Sequence, residues 1–260
     1  MRKQNQLLVS VLLSVVSVFS SPSVHAQAVT NTPPAKPKID WKSSAALGLT
    51  LSRGNSKSTQ VTLSANTDGK WDQSELSLGA DGTSGRSQSP GQPAPTTTAE
   101  LLHGFGQYNW LFGDRFFGFG RVEGLHDGVA DLKYRVSLNL GAGYYFIKNT
   151  NVDLCAEVGP GYVFQEQGTS STSYAALRAG EKFHLALSDR ARLWQTLEVA
   201  PQVDKFDNYV ANAELGLEAD LTKDKKLALR TCVTDTFNNE PAPGRQKNDV
   251  TWVTSIAYKF

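Results

Sequence analysis

The closing stretch of the chain, Asp249 to Phe260, constrains the fold most. Every second residue, Val250, Trp252, Thr254, Ile256, Tyr258 and Phe260, falls on one face, which is largely apolar and aromatic. Asp249, Thr251, Val253, Ser255, Ala257 and Lys259 fall on the other, which is polar or small. A period of two is the signature of a strand, because successive Cβ atoms point to opposite sides. The stretch is long enough to cross a bilayer at a tilt, which takes about 9–11 residues. The chain stops on the apolar face, at Phe260, with Trp252, Ile256 and Tyr258 on the same side.

The other end of the chain predicts export. Arg2 and Lys3 precede an apolar core from Leu7 to Phe19, and Val24-His25-Ala26 offers a small-residue cleavage site. Residues 1–26 therefore read as a signal peptide. Residues 27–40, with Pro33, Pro34 and Pro37, read as an extended periplasmic linker, and residues 41–260 as the folded unit. A chain of 260 residues with 40% apolar content has room for one large all-β domain. Its mean hydropathy of −0.33 is too polar for a bundle of membrane helices. Losing Arg2 and Lys3 takes 26 bases to 24 against 25 acids, and no basic run or stripe suggests nucleic acid.

From Trp41 onward about twelve strand-like segments follow one another, with no convincing helix. Tyr134, Val136, Leu138, Leu140, Ala142, Tyr144 and Phe146 share one face of the clearest of them. Connections alternate in length: Lys70–Gln73, Leu111–Asp114, Lys148–Asn151, Ser188–Arg190 and Thr222–Lys225 are short. Ser84–Thr98, Asp127–Asp131, Glu166–Thr172, Gln202–Asn208 and Asn238–Asn248 are longer or more polar. Only the turn at Gly54-Asn55-Ser56 breaks the rule. Such alternation predicts an all-β fold, an up-and-down antiparallel transmembrane β-barrel with short periplasmic turns and longer outer loops.

The non-apolar faces carry the charges. Arg135, Glu157, Arg178, Lys182, Glu198, Glu214, Glu218 and Arg230 are expected to meet across strands as a lumen network. Trp41, Trp71, Tyr134, Phe146, Phe164, Tyr209 and Phe260 sit near strand ends on the apolar face, where a membrane barrel carries its aromatic girdles. Two details resist the pattern. Arg121 and Glu123 share a face with Phe117 and Phe119, which suggests a bulge, and Glu181 falls on the apolar face of its strand.

The order of several short motifs resembles a known family. These are Trp41 with Leu47-Gly48-Leu49 and Gly54-Asn55-Ser56, then Tyr134-Arg135, Gly141-Ala142-Gly143-Tyr144-Tyr145-Phe146 and Gly159-Pro160-Gly161-Tyr162. Asp207 to Tyr209, Leu215 to Leu221 and the ending Tyr258-Lys259-Phe260 continue the likeness. Together they resemble the salt-induced outer-membrane protein family, a domain-of-unknown-function family of outer-membrane β-barrels, over Trp41 to Phe260. The resemblance implies localisation in the cell outer membrane, and likeness to the terminal strands of such barrels makes Trp252, Ile256, Tyr258 and Phe260 the expected barrel-closing element; it implies neither a reaction nor an assigned site.

Chemistry-bearing constellations are sparse. His126 beside Asp127 at a loop end is the one candidate for an outer-membrane lipid hydrolase, but no serine stands at a convincing spacing and no Gly-x-Ser-x-Gly elbow exists. No metal-ligand cluster and no cofactor motif is present. Cys155 and Cys232 fall on non-neighbouring strands and are expected to be free thiols. The reading is a non-enzymatic outer-membrane barrel, either plugged by its inner charges and structural, or a narrow pore for ions or small polar solutes. A lipid hydrolase and a soluble exported β-sandwich remain as alternatives. Expected partners are outer-membrane lipid and, during insertion, the barrel-assembly machinery, with the chain a monomer.

Overall fold

The computed structural model describes residues 39–260, apart from 53–56, 90, 92, 242, 243 and 245. The signal peptide, the linker as far as residue 38 and the Gly54-Asn55-Ser56 turn lie outside the described residues. The chain forms β1 (Asp40–Ser52), β2 (Lys57–Trp71), β3 (Ser74–Gln88), β4 (Thr96–Phe112), β5 (Phe116–Asp127) and β6 (Leu132–Lys148). It continues with β7 (Val152–Gln167), β8 (Ser170–Ser188), β9 (Ala191–Gln202), β10 (Lys205–Asp220), β11 (Leu227–Asn238) and β12 (Asn248–Lys259). Each strand pairs antiparallel with its neighbours in sequence, and β12 returns to β1 to close the barrel. The closing pairs run from Ser44↔Lys259 to Gly48↔Ser255. Ser43 and Phe260 then exchange backbone hydrogen bonds at 3.0 and 3.3 Å, so the final residue completes the seam.

The alternation becomes two surfaces. Outward residues are exposed and greasy: Leu140 is 69% accessible and Trp252 72%. Leu138, Leu215, Ile256, Tyr258 and Phe260 are likewise exposed. Outward aromatics gather in two belts. Trp110, Phe112 and Phe116 stack in sequence near the short-turn end, with Tyr144–Phe146 and Tyr258–Phe260 beside them. Tyr162–Phe164 and Tyr209–Phe237 mark the loop end. An apolar band between aromatic belts is a lipid-facing surface, and closing the sheet gives its edge strands partners that hydrocarbon could not supply.

At the loop end, part of the expected loop is strand. Ser84–Gln88 extends β3 and pairs with Thr96–Glu100 of β4, and Lys205–Asn208 belongs to β10. Only Gly168 and Thr169 separate β7 from β8, and only Val203 and Asp204 separate β9 from β10. The extra length at this end is thus carried as paired strand, together with the longer links Ser89–Pro95 and Asn239–Lys247. Polar composition hid these extensions, because a hairpin rising into water can be polar on both faces while its backbone pairs as before.

No bulge separates Phe117 and Phe119 from Arg121 and Glu123. The β4–β5 register is unbroken from Leu101↔Asp127 to Phe112↔Phe116, and all four side chains point inward. The rings fit because the cross-strand residues are glycines, Phe117↔Gly143 and Phe119↔Gly141. A Cβ on Gly143 would lie 2.2 Å from the Phe117 ring, and one on Gly141 would lie 2.8 Å from Phe119. Trp194 lies over Gly216 in the same way, at 1.9 Å. Glu181 needs no bulge either. Its register with Ala156 and Leu197 is continuous, so the carboxylate does face outward, and it accepts a hydrogen bond from Gln195 Nε2 at 3.4 Å.

Gly143→Ala should lower barrel stability by about 1–3 kcal/mol through overpacking. Gly124→Ala, where an added Cβ meets nothing within 4 Å, should change it by less than about 0.5 kcal/mol. Denaturant titration of the two variants in the same detergent checks the difference.

Candidate functional site in the barrel lumen

The inward faces of β2 to β9 carry one connected polar network. Its hub is Gln107 on β4. The Gln107 amide nitrogen donates to Asn109 Oδ1 at 2.9 Å and to Glu157 Oε1 at 2.7 Å. Its oxygen accepts from Lys182 Nζ at 3.1 Å and from Arg121 at 3.3 Å. Glu157 is held besides by Lys182 at 2.7 Å and Arg178 at 2.9 Å, and Arg178 reaches on to Glu198 through Nε and Nη2. From Gln107 the network runs one way through Arg121 and Glu123 to His103, which bridges Glu123 at 3.0 Å and Asp81 at 2.8 Å. The other way it passes through Asn109 to Glu75, which also takes the Tyr145 hydroxyl at 2.6 Å, Lys70 and Lys148. Aromatic rings fill the space between. Arg121 lies 4.3 Å over Phe105, Lys148 lies 4.0 Å over Tyr145, and Phe117 packs on Tyr145.

A second cluster lies beside the seam. Glu218 on β10 takes Arg192 of β9 at 2.8 Å, Arg230 of β11 at 2.7 Å and Lys259 of β12 at 3.1 Å. Lys259 also contacts Asp220, and Arg230 reaches across the seam to Ser44 of β1 at 3.3 Å. Ala46, Ala257 and Ala228 stand in one buried row there. Small residues at that row leave room for the long side chains to cross.

Of the residues singled out by charge, Glu157, Arg178, Lys182 and Glu198 come together in the first cluster, and Glu218 and Arg230 in the second. Glu214 stands apart from both and accepts the Trp194 indole N–H. Arg135 also stands apart, at the loop end, where its Nε donates to Gln165 at 2.9 Å. Sequence reasoning did not reach Gln107, Asn109, His103, Asp81, Arg192 or Lys259 as members. Gln107 and Asn109 carry no charge to draw attention. Lys259 was visible only as a polar position, and its role, like that of Arg192, depends on which strand lies beside it.

Both residues of the hydrolase candidate are engaged at the β5–β6 turn. His126 Nδ1 bonds the Lys133 backbone carbonyl at 2.8 Å, and the Asp127 carboxylate accepts the backbone N–H groups of Val129 and Ala130. No hydrogen bond among the described residues joins either to a serine. Cys155 and Cys232 are free thiols on strands separated by three others. On the outer face, Ala179, Leu197, Ala211 and Ala213 line a groove of about 440 Å³ with Glu181 and Asp235 at its sides. Among the described residues, Asp235 Oδ1 is the buried side-chain oxygen that lacks a hydrogen-bond partner.

A closed ladder, a greasy exterior with two aromatic belts and an interior packed with paired charges define an up-and-down β-barrel that spans a membrane. Residues 45–260 match DUF481, a family described as proteins of unknown function, and the chain belongs to that family. No curated relative matches the chain. Among solved structures it is similar to the NanC porin, at 7% identity and a TM-score of 0.49 over 85% of this chain and 100% of that one. It is similar also to the translocator domain of the autotransporter NalP from Neisseria meningitidis, at 16% identity and a TM-score of 0.43 over 88% of this chain and 90% of that one. The KdgM porin gives 7% identity and a TM-score of 0.44 over 85% of this chain and 99% of that one. These likenesses are of barrel form.

Removing one partner of a buried ion pair leaves the others uncompensated. Glu157→Ala should therefore destabilise the barrel by about 3–5 kcal/mol. Lys133→Ala, which breaks the exposed Lys133–Glu166 pair, should leave the denaturant midpoint where it is. Unfolding of both variants beside the parent protein checks the ranking.

Proposed function

We propose that the protein is a non-enzymatic outer-membrane barrel with a structural role in the envelope, its lumen closed at mid-height by its own side chains. The observation that carries this reading is burial on the inward face. Phe117 is 0% accessible, Glu218 1%, and Glu157 and Arg178 3% each. In a water-filled channel these inward side chains would be wetted. Here water cannot reach them, and their charges are matched by one another instead. A barrel of this strand number is wider than the eight-stranded kind that side chains fill unaided. Arginines, glutamates and phenylalanines spanning the interior make up the difference.

The same reading places the short turns in the periplasm and the extended hairpins outside. Residues 1–26 direct export and are cleaved after Ala26. The exposed terminal strand, with Trp252, Ile256, Tyr258 and Phe260 outward, presents the barrel-assembly machinery with an aromatic ending, and lipid then surrounds a monomer.

Recordings from the folded protein in planar bilayers should show no conductance steps. Steps from the parent protein would overturn the closed reading in favour of a narrow pore. Phe117→Ala combined with Phe119→Ala should introduce a leak, because it removes the two largest apolar blocks on the inward face of β5.

A further inference from the structure

At the loop end, above the packed layer, a polar cavity of about 310 Å³ opens between β6 and β11. Its walls are Arg135, Gln165, Tyr174, Gln202, Asn208 and Asn238, with Glu240 at the rim. Further down the same strands the inward side chains close up: Val163 on β7 and Ala176 and Arg178 on β8 are buried, and on β6 the half-buried Ser137 is followed by the buried Asn139. The volume is at the lower end of small-molecule pockets, which run from about 300 to 1,000 Å³.

Arg135 differs from every other arginine facing the lumen. Arg121, Arg178, Arg192 and Arg230 each have a carboxylate within hydrogen-bonding reach. Arg135 has none among the described residues; its Nε donates to the neutral Gln165, whose oxygen also accepts from Tyr174 at 3.5 Å. The acids around it are engaged elsewhere. Glu123 holds Arg121 and His103, Glu166 holds Lys133, and Glu240 holds Lys205. The two terminal nitrogens of Arg135 make no hydrogen bond to a described residue, and neither is a buried orphan, so their donors are accessible from the cavity. A guanidinium with its terminal N–H fork free is built for bidentate contact with an oxyanion.

The surrounding groups narrow the ligand. One uncompensated positive charge balances one negative charge, which suits a carboxylate better than a phosphate dianion. Gln202 accepts from Asn208 at 2.8 Å, and Asn238 accepts from the Glu240 backbone at 3.1 Å, which leaves the Asn208 oxygen and the Asn238 amide N–H groups for a guest. Mixed donors and acceptors of this kind match hydroxyl groups. We propose that the mouth cavity binds a small hydroxylated monocarboxylate, of the size of a single sugar acid, with its carboxylate on Arg135. The site lies above the layer that closes the lumen and does not depend on whether that layer passes ions.

Titration calorimetry of the folded protein in detergent, with D-glucuronate, D-glucose and D-glucose 6-phosphate as probes, tests the assignment. Glucuronate should bind, and glucose should bind about tenfold or more weakly, the loss expected for one charge-assisted contact. Arg135→Gln should bring glucuronate down to the level of glucose, and Arg135→Lys should recover part of the difference. Raising the salt should weaken glucuronate binding to the unmodified protein and leave glucose unaffected; this arm needs no variant and stands if Arg135→Gln fails to fold. Absence of glucuronate binding, equal affinity for glucuronate and glucose, or no effect of Arg135→Gln in a folded protein would each overturn the site. Tighter binding of the phosphate ester would overturn the carboxylate.

Discussion

Hydrocarbon gives the backbone nothing to bond to, so the sheet must close, and everything else in the barrel answers to that constraint. Closure is also where the barrel is thinnest. The β1–β2 ladder runs the whole of β1, from Asp40↔Lys70 to Ser52↔Ser58, whereas the seam is held only over Ser43 to Gly48. The second charge cluster lies at this weak place. Glu218 draws cations from β9, β11 and β12 to one carboxylate, and Arg230 extends to Ser44 on the far side of the seam. Side-chain charge thus braces a joint whose backbone pairing is short.

A closed sheet of twelve strands encloses more space than ordinary side chains fill. The inward solution alternates long residues with none at all. Phe117, Phe119 and Trp194 each lie across a glycine of the neighbouring strand. Each pair trades Cβ volume on one strand for a ring from the next, so these glycines and the inward rings are one fact seen twice. The ion pairs between the rings are worth little as net stability, because desolvation offsets most of their attraction. Their effect is geometric: each charged group has a partner on another strand, and shifting a strand by one residue would turn those partners out of the lumen.

The fold and the sidedness of its faces were legible because alternation is local. Leu138, Leu140, Leu215 and Ile256 are outside and Glu157 and Arg178 inside, as their parity requires. Partnerships were not legible, because parity says which way a residue points and not which residue stands across from it. Nothing in the sequence ties His103 to Asp81 and Glu123, which β3 and β5 bring to its two nitrogens. Phe117 and Phe119 looked like a defect in the pattern because apolar was taken to mean lipid-facing. The available signal was Gly141 and Gly143 two strands' faces away in sequence, but only a register connects them. Thr96–Thr98 and Lys205–Asn208 were read as loop on composition, a criterion that fails where strand leaves the membrane.

Compensation of charge follows depth in this barrel. At mid-height Arg178 is enclosed and holds two carboxylates, since an unpaired guanidinium there would bear the full desolvation cost. Arg135 follows Tyr134 at the start of β6, near the loop-end belt marked by Tyr162 and Phe164, and it opens onto a polar cavity. No carboxylate among the described residues pairs with it there, and its one hydrogen bond is to the neutral Gln165. The outer face runs the other way. Glu181 and Asp235 sit in line with Leu197 and Ala213 across four consecutive strands, carboxylates on a surface otherwise given to lipid. The alanines of that groove draw the surface inward around them, and Gln195 offers Glu181 a donor that hydrocarbon could not. A polar group at lipid depth is tolerated where the protein supplies its own hydrogen bond, which Glu181 has and Asp235 Oδ1 lacks.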